Sequence, residues 1–331
     1  MSIIDFHNHY YPPEYLEALQ KRPGNMALTF DDDGNPVLHY PGDYNVVVPG
    51  HRDIEFREGV LEREGVDRQV LSFTAPGILI ETTERAVELA PLINDALARI
   101  VDERGHRFSA LATLPLNDPR ESVAELDRAM TRLGLPGAML FSNVNGTALA
   151  DERFWPLYER ASDLEAVLYI HPTQAIGVEA MLDYWLMPLI GFTYDTTLAA
   201  AKLVFSGAVE RFPGIRWALG HLGGAIPYLA ERLDRGFEAF EECRRDIDRP
   251  PSWYLKRFYY DTVNFDPKAL QLAIDFAGAD RLLAGSDYPH RIGSIGKMQE
   301  SIGALDIGEA ERAGILGGNA AALLGLDGAG D

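Results

Sequence analysis

Three observations predict that this chain folds as a (β/α)8 barrel. Eight short apolar or β-branched runs recur along it, a helix-type stretch separates each from the next, and histidine or aspartate stands at the end of several runs. A doubly wound open sheet is the second choice. The runs lie near 2–7, 68–74, 108–115, 137–143, 165–171, 216–221, 258–263 and 281–287. The helix-type stretches lie near 53–64, 84–104, 118–133, 151–163, 178–211, 224–242, 266–278 and 307–324. With 331 residues, 47% of them hydrophobic, the chain can bury one large core, so a single domain over 1–331 is expected.

In the first run, Ile3-Ile4-Asp5-Phe6-His7-Asn8-His9, two imidazoles stand two residues apart, and a strand turns both to the same side. Residues 22–50 then interrupt the alternation. Ala27-Leu28-Thr29-Phe30 and Pro36-Val37-Leu38-His39-Tyr40 flank Asp31-Asp32-Asp33-Gly34-Asn35, a hairpin signal, and an insertion leaving the first strand here is expected to act as a lid. The third helix is the clearest: Asp118 caps, Pro119 suits the first turn, Val123, Leu126, Met130 and Leu133 share a face, and Gly134 terminates. The fifth run, Val167-Leu168-Tyr169-Ile170, leads into His171. The stretch after it is interrupted by Pro188 and Gly191 and carries Tyr184, Trp185, Phe192 and Tyr194, which are expected to line a pocket. The sixth run leads into His221, the seventh is read as a strand only, and the eighth leads into Asp287.

Barrels of this kind carry their sites at the C-terminal mouth, so strand-end residues distant in sequence converge there. His7, His9, His171 and Asp287 offer three imidazoles and a carboxylate, a set that suits one divalent cation, Zn²⁺ first, with Mn²⁺, Fe²⁺ or Co²⁺ chemically acceptable. His221 is read as a general acid/base beside the cation, the alternatives being a fifth ligand or a hydrogen-bonding residue behind the ligands. His51 and His290 fall near the mouth, as substrate contacts or ordinary loop residues.

The formal charge of −20 argues against nucleic acid and anionic membrane surfaces as partners, and an anionic substrate then needs local positive charge. No apolar run approaches the roughly 18 residues that cross a bilayer, and the start Met1-Ser2-Ile3-Ile4-Asp5 lacks the marks of a secretory signal. A reducing, cytoplasmic setting is expected, in keeping with the single cysteine, Cys243.

His7-Asn8-His9, Tyr169-Ile170-His171-Pro172, Gly220-His221-Leu222-Gly223-Gly224 and Gly285-Ser286-Asp287-Tyr288-Pro289 together resemble the amidohydrolase-related (amidohydrolase 2) branch. That branch holds the 2-amino-3-carboxymuconate-6-semialdehyde, γ-resorcylate and 5-carboxyvanillate decarboxylases. The likeness runs almost end to end, including Tyr184-Trp185-Leu186, Phe212-Pro213-Gly214 and Gly318-Asn319-Ala320-Ala321. It implies one divalent metal on His7, His9, His171 and Asp287, catalysis by His221 and Asp287, and loss of CO₂ from an aromatic or unsaturated carboxylic acid. It further implies Trp185 in the pocket and Arg232 reaching a neighbouring subunit's site, hence a homodimer or higher homo-oligomer; without the resemblance, Arg232 reads as a helix-surface arginine beside Glu231 and Asp234.

The chain departs from the branch in two places. The arginine that holds the substrate carboxylate in muconate-semialdehyde members is replaced by Val46-Val47-Val48-Pro49-Gly50-His51-Arg52, which offers Arg52 a few positions displaced. Leu71-Ser72-Phe73-Thr74-Ala75-Pro76-Gly77 resembles the resorcylate type and puts Phe73 among the expected substrate contacts, yet those members carry Glu where this chain has His7. Binuclear relatives bridge two metals with a lysine on the fourth strand. Here that strand ends Met139-Leu140-Phe141-Ser142-Asn143, and all five lysines (21, 202, 256, 268 and 297) fall in predicted helices or loops, so one metal is expected. A metal-dependent carboxy-lyase is therefore the first reading. A mononuclear hydrolase of an ester, lactone or amide is the second, and a metal-stabilised binding barrel the third.

Overall fold

The computed structural model describes residues 2–40 and 43–326. The first barrel strand, Ile4–Tyr10, is buried at every position, as expected of a parallel strand with neighbours on both edges and cover on both faces. Strand two is Arg68–Phe73, strand four Gly137–Phe141, strand five Val167–His171, strand six Arg216–Leu219 and strand seven Tyr259–Asp261. Strands three and eight are each broken in two: Phe108–Ala110 and Ala112–Thr113, and Leu282–Leu283 and Gly285–Tyr288.

The breaks close the barrel. Phe108–Ala110 pairs with strand two while Ala112–Thr113 pairs with strand four, and Leu282–Leu283 pairs with strand seven while Gly285–Tyr288 pairs with strand one. Every barrel pairing is parallel, so all eight C-terminal ends share one rim. The eight predicted runs are these eight strands. A continuous apolar cluster from Ile4 to Leu324 fills the wall and the layer beneath the helices, each fully buried Leu, Ile or Phe contributing roughly 1.5–3 kcal/mol.

The third predicted helix is Pro119–Thr131, and Asp118 caps it by accepting from the N–H groups of Arg120 and Glu121. The expected helix over 178–211 is corrected. The regular helix is Phe192–Phe205, preceded by a single turn at Val178–Ala180 and a widened turn at Met187–Gly191. Pro188 lacks the N–H a continuous helix needs, and Tyr184 and Trp185 sit at φ 52° and 57°, left-handed values that break a right-handed helix. Helices Pro13–Lys21, Pro251–Leu255 and Ile295–Gly303 add to those expected.

The insertion is a three-stranded antiparallel sheet, Ala27–Phe30, Pro36–Tyr40 and Asp43–Val46, where two strands were expected. Asp43-Tyr44-Asn45-Val46 lacks the apolar alternation that marks the other two. The Glu81 carboxylate ties the chain entering the insertion to the barrel, accepting from the N–H groups of Asn25 and Met26 at 2.8 and 3.1 Å. Among the described residues no helix is long and apolar enough to cross a membrane.

Candidate metal centre

His7 and His9 lie inside strand one rather than beyond its end, since that strand runs on to Tyr10. His171 is the last residue of strand five, Asp287 lies on the broken eighth strand, and His221 follows strand six. Gly285 pairs with His7 across the strand one to strand eight seam. A Cβ there would fall 2.7 Å from the His7 Cβ, so glycine lets the ligand strands approach.

Ligand atoms of His7, His9, His171 and Asp287 all lie within 4.8 Å of one another, the one such group among the described residues. All four side chains are buried. His9 Nε2 is 2.9 Å and His7 Nε2 3.4 Å from Asp287 Oδ1, and the two Nε2 atoms are 3.1 Å apart. His171 donates through Nδ1 to the Pro172 carbonyl, 2.7 Å away, while its Nε2 is buried without a hydrogen-bond partner. Nitrogen lone pairs turned toward one point beside a carboxylate repel unless a positive charge sits among them, so the donor set fits a divalent cation.

The electrostatics agree. Burial pulls the His7 imidazolium down, but the carboxylates of Asp261 and Asp287 overcome this and carry it up to about 10. That place favours positive charge, whether a proton or a metal. Burial holds His9 and His171 well below the ordinary histidine range, which leaves their nitrogens as neutral donors to a metal. Burial alone raises Asp287, yet hydrogen bonds from His7 and His9 hold its carboxyl well below the usual range.

His221 stands next to the four. Its ring centre is 4.9 Å from that of His7 and 5.3 Å from that of His171, and burial followed by the neighbouring His7 lowers it to about 4. His221 and Leu222 are both left-handed, at φ 52° and 57°, a strained pair of the kind found where backbone is bent to aim a side chain. Beyond them, His290 lies against His9 with ring centres 4.6 Å apart, and His51 against His290 at 5.1 Å. His51 is buried with both ring nitrogens unpartnered, so these two histidines continue the imidazole array outward.

A cavity of about 580 Å³, within the ~300–1,000 Å³ typical of small-molecule sites, lies nearby, its wall formed by other residues than the four clustered ones and His221. Insertion residues Tyr40 and Tyr44 line one part, and Met181, Tyr184, Trp185 and Phe192 of the segment after strand five line another. Phe192 joins cavity to centre, its ring 6.2 Å from His171 and 6.1 Å from His221.

Two expected contacts lie away from the cavity. Phe73 is wholly buried and packs edge-on against Tyr11 and Tyr15, so it supports the wall instead of lining the cavity. Arg52 donates to the Val47 carbonyl at 3.2 Å and is absent from the cavity wall. Arg232 is exposed on helix Ile226–Ala239, away from this chain's cavity. Neither Glu231 nor Asp234 pairs with it; Asp234 accepts from Ser252 instead.

Three functional residues were not anticipated. Asp261, the last residue of strand seven, accepts from His7 Nδ1 at 2.5 Å. Arg57, fully buried, donates to the carbonyls of His9 and Gly50 and to Asn8 Oδ1 and Gln69 Oε1, with its guanidinium between the rings of Tyr10 and Tyr288. It ties the backbone of His9 to the turn carrying His51. Asp5 accepts from Ser286 N–H and Oγ and from Gln69, which steadies the residue before Asp287; burial pushes its carboxyl up to about 6 against those hydrogen bonds. A strand-end carboxylate on the seventh run was the available signal for Asp261.

The family described as amidohydrolase matches residues 4–326. The 2-amino-3-carboxymuconate-6-semialdehyde decarboxylase of Dictyostelium discoideum is 35% identical over 332 residues, covering 98% of this chain and 92% of its own. The crystal structure of 5-carboxyvanillate decarboxylase from Sphingomonas paucimobilis superposes with a TM-score of 0.85 at 26% identity, covering 98% of each chain. Dihydroxybenzoic acid decarboxylase from Polaromonas sp., solved with bound manganese and the inhibitor 2-nitroresorcinol, gives 0.82 at 27% identity over 98% of this chain and 97% of that one.

Proposed function

The chain belongs to the amidohydrolase family, as a metal-dependent carboxy-lyase within it, and from that premise we propose which acid it takes and which residues do the work. The substrate is an aromatic or conjugated carboxylic acid, and the reaction is its non-oxidative decarboxylation at a mononuclear centre formed by His7, His9, His171 and Asp287. The observation that carries this reading is the four-residue cluster with His221 against it, joined through Phe192 to an aromatic-lined cavity. Strand four ends at Phe141 and is followed by Ser142, so no lysine stands where a second metal would be bridged. Relatives that lose CO₂ support decarboxylation over hydrolysis of an ester, lactone or amide.

A bound divalent cation, zinc in this reading, supplies Lewis acidity toward a substrate oxygen. The protein does the rest. Trp185 and Phe192 stack the acid, and His51 and His290 offer polar nitrogens to its outer edge. His221 passes a proton to the carbon that carries the carboxylate, with Asp287 beside it. The carbon–carbon bond pair then returns to the conjugated system as CO₂ departs, and atoms and charge balance without an organic electron sink. An anionic carboxylate docked by His221 offsets the burial that disfavours its imidazolium, so the ring holds a proton in the complex.

Arg232, exposed and without an acidic partner among the described residues, is assigned to a neighbouring subunit's substrate in a homodimer or higher homo-oligomer, where a guanidinium suits a carboxylate. A cytoplasmic setting belongs to the same reading, supported by the one cysteine, Cys243, being free. Incubating the metal-replete protein with salicylate-, resorcylate-, vanillate- and muconate-type acids, and with matched esters, tests it. Stoichiometric CO₂ from an acid is expected; a new carboxyl group from an ester, with no CO₂ from any acid, would overturn it.

A further inference from the structure

We infer that Asp261 is the positioning residue of this centre, one carboxylate that sets both the metal-binding tautomer of His7 and the backbone that aims His221. The inference rests on the reading of His7 as a metal ligand. Asp261 is wholly buried and accepts five hydrogen bonds. Its Oδ2 accepts from His7 Nδ1 at 2.5 Å, the Tyr169 hydroxyl at 2.9 Å and the His221 N–H at 3.0 Å. Its Oδ1 accepts from the N–H groups of Leu222 and Val263, both at 3.0 Å. The donors come from strands one and five, the turn after strand six and the residues after Asp261 itself.

The chemistry of that arrangement is one-sided. An ionised carboxylate only accepts, so His7 must donate, and its proton belongs on Nδ1. When a metal takes the place of the second proton, Nε2 supplies the lone pair, on the side where His9 Nε2 and Asp287 gather. Tyr169 donates to the same oxygen and adds to its donors without touching the His7 bond. The N–H groups of His221 and Leu222 belong to the left-handed pair, so the same carboxylate that prepares the ligand also holds the strained turn carrying the acid/base. A change at Asp261 therefore reaches metal and proton donor together, although it touches neither metal nor substrate.

Asp261→Asn keeps the shape and turns one acceptor into a donor. With the amide oxygen toward Leu222 and Val263, its NH₂ faces His7 Nδ1 and drives the His7 proton to Nε2. Zinc affinity, measured by chelator competition, is expected to fall roughly 10- to 100-fold, the usual effect of removing a carboxylate behind a ligating histidine. Saturating zinc should restore occupancy without restoring kcat, because the His221 turn stays released. Tyr169→Phe, which removes a donor and leaves the His7 bond, should change zinc affinity little. In the wild-type zinc protein, ¹⁵N-histidine spectra should show His7 protonated at Nδ1 and metal-bound at Nε2, a readout that stands if Asp261→Asn fails to fold. Unchanged zinc affinity in folded Asp261→Asn, or a His7 proton on Nε2 in the wild type, overturns the tautomer claim, and full recovery of kcat with zinc overturns the His221 half. If His7→Ala binds zinc as tightly as the wild type, the fault lies instead in reading His7 as a ligand.

Discussion

At the strand ends, His7, His9 and Asp261 are wholly buried and each is held by at least one specific hydrogen bond, whereas on the segment after strand five Tyr184 and Trp185 are 82% and 62% exposed. The second lines the cavity and touches the first through Phe192, and both contain left-handed residues outside glycine. At His221 the strained backbone is paired to a buried carboxylate, so its N–H groups keep their partners. At Tyr184 and Trp185 the aromatic faces project outward. The difference separates two tasks: reaction geometry needs atoms held to within fractions of an ångström on rigid elements, while selection of an acid tolerates an adaptable aromatic rim.

Breaking the rigid region should have the larger effects. Asp287→Ala or His9→Ala removes one of the four proposed ligands, and CO₂ release should fall to background with metal content, by elemental analysis, well below one ion per chain. Chelation of the wild-type protein should lower its Tm, since a ligand present at 100 times its Kd adds about 2.7 kcal/mol to the folded state. An unchanged Tm and activity after verified metal removal would contradict the centre. His221→Ala comes next, with kcat reduced about 10²- to 10⁴-fold, the range of a lost general acid or base, and metal content retained; loss of the metal would make His221 a ligand.

The rim should respond more mildly and in KM. Heterodimers of Arg232→Ala and His221→Ala chains should have a lower KM than the Arg232→Ala parent and a higher kcat than the His221→Ala parent, because one pocket then carries both intact groups; verified heterodimers without either gain would confine each site to one chain. Trp185→Ala should raise KM several-fold, the scale of an aromatic contact worth about 1 kcal/mol, with kcat and Tm nearly unchanged because the side chain is mostly exposed. A large fall in Tm would place Trp185 in the core and erase the contrast between wall and rim.

Much of the centre was legible along the chain. The His7 and His9 spacing reads directly as one strand face, and His171, His221 and Asp287 each follow an apolar run, so barrel polarity alone brings them to one rim. The insertion and the aromatic segment were legible as interruptions, though not as a third strand at Asp43–Val46 or a helix delayed to Phe192. Phe73 and Arg52 were misjudged because proximity in sequence to the mouth says nothing of which way a side chain turns: Phe73 found Tyr11 and Tyr15, and Arg52 a carbonyl. Asp261 escaped assignment because its significance lies in His7, 254 positions away.

The amino-acid order by itself determined the period of each element, the direction in which strand ends point and the supply of three imidazoles and a carboxylate at those ends. Only the closed ring decided which atoms meet. The two broken strands, and the register shift between His7 and Asn8 against strand eight, bring Asp287 and His9 to 2.9 Å and set Asp261 beneath His7. Hydrophobic periodicity carries information about faces, whereas ångström-scale contact between remote residues depends on how the whole wall packs and closes.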